Sequence, residues 1–431
     1  MTTRIDVPDP ARWVVETLEA AGFETWTVGG AVRDALLGHP SADWDFATAA
    51  RPRDVQRVFR RTVPVGIDHG TVGVLDRHET LHEVTTFRRD VDTDGRHAVV
   101  TFADTILEDL SRRDFTINAI AWHPTRAELF DPFDGQVDLD QRRLRTVGSP
   151  EERFAEDYLR ILRALRFAGR LGLSVDSETW DALVAAMDGL GGLSAERIRE
   201  EWMKVMSGTD PAPSLDLYRR SGALARIAPA LATASDAAWK DALRRVQALP
   251  ATEPILRSVA VFETAGCDTG AGQRVGVHPR RALAEGVGAW MQGLRFSNAE
   301  TDRAVHLLAT HADPPAADAS AADLRRWLAT VGPERAPDRF ALIEAGVRAT
   351  TDLIETDTPD RLARLRDELA SDPALSVGDL AIGGRDLIAL GMKPGPHFGD
   401  LLDALLDLVL EDPALNTRDA LLAEVERRAD P

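Results

Sequence analysis

A mixed α/β or α+β domain of roughly 120–150 residues followed by an all-helical arm is the architecture this sequence predicts. Three observations predict it. The chain has 431 residues, too many for one compact core. Its first part alternates short strand-like and helix-like stretches separated by Gly and Pro. From about residue 151 the strand signals fade, and Ala/Leu/Arg-rich helical patterns continue to the end.

In chain order, ARWVVETLEAAG (11–22) reads as an amphipathic helix stopped by Gly22. FETWTVGG is a strand entering a Gly-Gly turn, and AVRDALLG is a helix ending at Gly38. ADWDFAT is a strand, and RPRDVQRVFRR is a helix with Pro52 in its first turn. TVGVLD and TLHEVTTFR follow as strands, and EDLSRRDFTINAIAW (108–122) leads into an apolar, helix-like run. ERFAEDYLRILRALRFAGRLG reads as one amphipathic helix. Phe154, Tyr158, Ile161, Leu165 and Ala168 form its apolar side. APALATASDA and HADPPAADASAAD (311–323) read as loops, and no fixed-period repeat marks a solenoid.

With 44% hydrophobic and 28% charged residues, the composition is that of an ordinary globular protein. No apolar run is long enough to cross a membrane, and MTTRIDVPDPARW has no signal-peptide core. The single cysteine, Cys267, excludes a disulfide framework and a cysteine-based zinc site, and suits a reducing cytoplasm. The net charge of −19 argues against a nucleic-acid partner, but binding depends on the field over one face. Lysine occurs only at 204, 240 and 393, so the positive charge is nearly all arginine, whose fork suits phosphates and bases.

The candidate chemistry begins at VGGAVRDALLGHPSADWDFAT (28–48). Asp43 and Asp45 stand two apart on a strand and therefore share a face, an arrangement that asks for a divalent cation. Gly29 and Gly30 let the backbone approach a polyphosphate, and Arg33 lies close behind them. A tight turn and a solvated strand edge would explain each piece alone. Together they form what metal-dependent nucleotidyl transfer needs. Glu83, in LHEVTTF, is the candidate third carboxylate, or else a solvent-facing strand residue. Arg112 and Arg113 suit a triphosphate, and Asp114 and Asn118 suit ribose hydroxyls; a capped helix with solvated arginines is the alternative. Asp157, Arg160, Arg163 and Arg166 recur every third residue. They are either a solvated charged face or, through Asp157 and Arg160, readers of a base edge.

These segments resemble the successive motifs of the class II tRNA nucleotidyltransferase/poly(A) polymerase family. The matches are GGAVRDALLG…DWDFAT, RRDFTINAIA, DPFDGQVDLDQRRLRTVG (131–148), EDYLRILRALRFA and LSAERIREEW (193–202), in the family's order. IGGRDLIALGMKPGPHFGDLLDALL (382–406) resembles the tail of the same enzymes. The resemblance implies a polymerase-β-type head with a five-stranded mixed sheet (1–149), a helical neck (150–234), a body (235–375) and a tail (376–431). It further implies Mg2+ at Asp43 and Asp45, and nucleotide contacts from Gly30, Arg33 and Arg113. It gives selection of CTP and ATP to Asp157 and Arg160, and nucleotide-contacting positions to Arg163 and Arg166. The substrate would be the 3′ end and acceptor arm of tRNA, and the product its CCA end, built without a template. CC- or A-addition, poly(A) synthesis and a non-catalytic RNA-binding role are the alternatives. PVGIDHGTVGV (64–74) looks like the tRNA enzymes, and FRRDVDTDGRHAVVTF (87–102) like a loop able to support A-addition, though it lacks the tyrosine often found there. His278, His306, His311 and His397 have no adjacent aspartates, so nothing indicates a phosphohydrolase pair.

Overall fold

The computed structural model describes residues 5–41, 43–93, 98–266, 279–310, 312–350 and 357–429. Cys267, His278, His311 and the centre of the 87–102 loop lie outside them. The chain divides into two compact units, Met1–Ala232 and Thr233–Pro431. Among the described residues no helix is long and apolar enough to cross a membrane.

Unit 1 opens with α1 (Asp9–Ala20), which buries Val14, Val15 and Leu18 and ends before Gly22 at φ +89°. Strand β1 (Thr25–Val28) is buried throughout and runs into the glycine turn and α2 (Gly30–Leu36). Then come β2 (Asp45–Thr48), α3 (Pro52–Val58), β3 (Thr62–Gly66), β4 (Thr71–Leu75) and β5 (Leu81–Thr86). Strands β6 (Arg88–Thr93) and β7 (Ala98–Phe102) pair with each other as a separate antiparallel ribbon. Next are α4 (Ile106–Ser111), β8 (Ala121–His123), β9 (Glu128–Phe130), α5 (Gly135–Asp140) and the short β10 (Arg143–Leu144).

The main sheet has the order β3-β4-β5-β2-β1-β8-β9, seven strands where five were expected. It is mixed: β2 runs parallel to β5, and every other neighbouring pair is antiparallel. The additional strands are short or half-exposed, and a cluster including Trp26, Val28, Phe87, Leu110 and Ala121 packs the centre. RRDFTINAIAW is not helical beyond α4. Thr116–Asn118 forms one 3-10 turn, and the buried run after it becomes β8.

The long helix expected over 152–172 is also interrupted. Helix α6 (Pro150–Glu156) ends at Asp157, whose extended backbone (φ −156°, ψ 106°) separates it from α7 (Leu159–Leu171). The Asp157 carboxylate accepts the Leu159 N–H at 3.0 Å, so this residue starts the second helix by capping it. Ile161, Leu165 and Ala168 are buried on α7 as the periodicity requires, and Gly172 in the left-handed region stops it. After β11 (Ser174–Val175) come α8 (Ser177–Ala185), α9 (Ala195–Met206) and α10 (Ala212–Ser221). A Cβ on Gly169 of α7 would lie 2.4 Å from the Ser214 backbone nitrogen, so only glycine lets α7 and α10 approach this closely.

Among its described residues unit 2 is wholly helical, from Asp236–Gln247 to Arg418–Ala429. Leu328, Val331, Leu362 and Leu365 belong to one of its cores, and Leu387, Leu405, Val409 and Leu421 to another. Several arginines are spent internally. The buried Arg339 donates to Glu263 at 2.6 Å, and Arg303 forks onto Asp338 and Glu253.

Candidate active site

Residues 43–46 alternate. Trp44 and Phe46 are buried, while Asp43 and Asp45 are exposed, so the two carboxylates share a face. Only Asp45 lies within β2; Asp43 precedes it in extended chain. The parallel register Phe46↔Val84 sets both of those side chains into the core and turns their neighbours, Asp45 and Glu83, toward the same cleft. Although the residue is exposed as a whole, Asp45 lines the cleft, and there loss of solvation first, and then the charge of Asp43, push its carboxyl up to about 6; Arg113 opposes this and Glu83 adds to it. Negative charge gathered without compensation is what a divalent cation relieves. Among the described residues no group of three or more metal-ligating side chains comes together. Two carboxylates completed by water and substrate phosphate suit magnesium, which seldom takes an all-protein cage.

Gly29 holds φ +75° at the end of β1, and a Cβ there would sit 2.9 Å from Arg113 Nη1 and 3.9 Å from Asp45 Oδ2. The glycine therefore lets the arginine and the aspartate flank bare backbone. Arg113 donates to Asp109 at 3.1 Å and to the Asn118 carbonyl at 3.3 Å, and Arg112 lies 3.6 Å from the same Asp109. The buried Arg33 donates to the Asn118 side-chain oxygen at 2.6 Å. Asn118 in turn donates to Asp114 at 3.1 Å, and Asp114 accepts a fork from Arg163 at 2.7 and 2.6 Å. One continuous chain of hydrogen bonds thus ties α2 to α7 through the turn after α4.

Just before α7, Asp157 accepts from both terminal nitrogens of Arg197, at 3.0 and 2.6 Å. Arg160 donates to the carbonyls of Arg153 (3.0 Å) and Arg112 (3.2 Å), and pairs with Glu156. Arg166 is buried against Glu201 at 2.6 Å. The ring of Phe167 lies under three guanidinium groups, with its centroid 5.2, 5.4 and 4.3 Å from those of Arg33, Arg163 and Arg166. Of the two readings open for these arginines, a solvated face does not apply: each is held in a defined position.

Every residue singled out from sequence, Asp43 apart, lines one cavity of about 950 Å³. The same walls carry residues that sequence reasoning passed over, among them Asp109, Phe167, Arg170 and Arg197. Asp109 was detectable, since it precedes Arg112 and Arg113 at i+3 and i+4 spacing on a short helix. Arg197 lay inside LSAERIREEW, but nothing local marks its partner 40 residues upstream.

Burial alone would raise the carboxyls of Asp109, Asp114 and Glu201. Their arginines outweigh it, Arg113 and Arg112 for the first, Arg163 for the second and Arg166 for the third, and all three lie below the ordinary range. Stabilisation from such depressed groups is fully present above the unfolded pKa and is lost as pH falls through the folded values. These three groups are therefore expected to cost unit 1 its melting temperature steeply below about pH 4. Calorimetry over falling pH checks this; a melting temperature unchanged down to pH 3 would contradict the buried pairs.

A small mixed sheet that turns an aspartate pair toward an arginine-lined cleft defines a nucleotidyltransferase head. Residues 25–145 match the family described as the poly A polymerase head domain. Residues 172–235 match the "Probable RNA and SrmB- binding site of polymerase A", and 284–425 a tRNA nucleotidyltransferase domain 2. The chain is 37% identical to the CCA-adding enzyme of Lactiplantibacillus plantarum, covering 97% of this chain and 96% of that one. It is 34% identical to that of Geobacillus kaustophilus, with 97% of each covered. The crystal structure of the Bacillus stearothermophilus CCA-adding enzyme in complex with CTP superposes with a TM-score of 0.73 at 31% identity, over 98% of this chain and 99% of that one. The chain belongs to the CCA-adding tRNA nucleotidyltransferases.

Proposed function

We propose that this chain completes tRNA by adding CMP and AMP, drawn from CTP and ATP, to the 3′ end without a nucleic-acid template. The observation that carries the reading is the single cleft. It joins the Asp45 end of β2, the glycine turn and the Asp157–Arg160 start of α7. In each addition the terminal 3′ hydroxyl bonds to the α-phosphorus, and pyrophosphate leaves. Asp43 and Asp45 are the residues that would hold magnesium, whose chemistry is to activate that hydroxyl and to neutralise the departing pyrophosphate. Gly29 and Gly30 leave room for the triphosphate beside the backbone, and Arg33, Arg112 and Arg113 surround it with charge already oriented by Asp109 and Asn118. Asp114 and Asn118 stand where ribose hydroxyls would be met. Asp157 and Arg160 present an acceptor and a donor to the base, with Arg163 and Arg166 behind them on α7. A head (1–149), neck (150–234), body (235–375) and tail (376–431), with tRNA held along the helical parts in a cytoplasmic setting, goes with this reading.

The test is incubation with tRNAs ending before CCA, after C and after CC, offering each nucleotide singly and together, and sequencing the products. The expected product is CCA and nothing beyond. Arrest at CC would make it a partial enzyme, a run of A a poly(A) polymerase, and no extension at all a non-catalytic binder.

A further inference from the structure

The cations of the cleft are almost all engaged. Arg33, Arg113, Arg160, Arg163, Arg166, Arg197 and Lys204 each meet a carboxylate or carbonyl. Arg170 differs. It lines the same cavity, is exposed, and makes no hydrogen bond, ion pair or ring contact with the described residues. It stands four residues beyond Arg166 on α7, about 6 Å further along the axis. The pairs Asp157–Arg197 and Arg166–Glu201 tie α7 and the residue before it to α9. At and just beyond the end of α9, Lys204, Ser207 and Thr209 line the same cavity as Arg170. The cleft thus extends past the base-reading residues into a lobe where, among the described residues, Arg170 is a cation with no partner of its own. Its field reaches Arg33, where it adds to the larger effect of burial in lowering that guanidinium.

We infer that Arg170 is a phosphate contact of this lobe, a binding residue of the nucleotidyl-transfer site beyond those named above. The inference rests on the proposed function for the identity of its ligands but not for its test. A guanidinium with no partner of its own, among cations that are each already held by a carboxylate or carbonyl, is the group left to take a ligand's charge. Phosphate has two sources here, the triphosphate of the incoming nucleotide and the backbone of the RNA end.

Equilibrium binding of CTP and of tRNA to wild type, Arg170→Ala and Arg170→Lys separates them, and needs no turnover. A loss of about tenfold in one affinity is expected for Arg170→Ala, with part regained in Arg170→Lys, which keeps the charge without the fork. Weaker CTP binding alone places Arg170 on the triphosphate. Weaker tRNA binding, with the slope of log K against log salt reduced by about 0.7, places it on a single-stranded phosphate. If both affinities match wild type, or only the melting temperature moves, Arg170 is merely a favourable charge at the end of α7 and the inference is overturned. Absence of nucleotide addition by wild type would sink the proposed function and leave these affinities readable.

Discussion

Replacing Asp45 by alanine, or Asp43 by alanine, is expected to reduce incorporation of CMP into tRNA by about 10³-fold or more, the scale lost with a group aimed at developing charge. Binding of tRNA should change little, because neither carboxylate supports the fold: both are exposed, and β2 is held by Phe46, Ala47 and Thr48. A second readout does not depend on activity. A carboxyl raised to about 6 gives the fold its full stability only when protonated, and that stability is lost as pH rises through the raised value. Asp45→Asn removes the loss. Without divalent cations its melting temperature should exceed that of wild type at pH 8 and coincide with it near pH 4. Magnesium should raise the wild-type melting temperature and leave Asp45→Asn unmoved. Near-normal incorporation by either alanine variant would end the metal assignment. Glu83→Ala is expected to fall between these variants and wild type, since Glu83 adds to the field at Asp45 outside any three-ligand cluster.

The aspartate pair was legible in sequence because its signal is local. Period-2 alternation around Trp44, two glycines and an arginine all lie within 18 residues. The positions of α1, α2, α3, β4 and β5 were legible for the same reason, each with its own periodicity and all but β5 with a Gly or Pro at an end. The stretch after RRD was not. Phe115 to Trp122 is buried on every side, so its apolar run carries no period to tell strand from helix. The extra sheet strands were hidden by their length, and β9 has only three residues. The break at Asp157 was hidden by the regular spacing of apolar residues across it, which a capped restart preserves. Partnerships such as Asp114–Arg163, 49 residues apart, have no local trace at all. The arginines of α7 therefore read from sequence either as a solvated stripe or as nucleotide contacts, and it is the fold that sets their geometry.

That geometry makes base choice the sharper test of a template-free mechanism. Asp157 cannot swing, because Arg197 grips both its oxygens while one of them also caps Leu159. Arg160 is equally fixed, by carbonyls from Arg153 and Arg112 and by Glu156. Both line the cavity. An acceptor and a donor held at constant separation can match the hydrogen-bonding edges of cytosine and adenine, and leave a wrong base with unpaired buried groups. Asp157→Ala and Arg160→Ala are therefore each expected to lower the preference for CTP and ATP over UTP and GTP by about 10²-fold, a part of the discrimination that a hydrogen-bonded site achieves. The loss should appear mainly as poorer kcat/KM for the correct nucleotides. The magnesium-dependent rise in melting temperature should persist, because the carboxylates proposed to hold the ion stand at and just before β2 and not on α7. Single-addition kinetics with all four nucleotides decide the matter. Wild-type selectivity in both variants would mean that the fixed pair only braces the cleft, and that another part of it chooses the base.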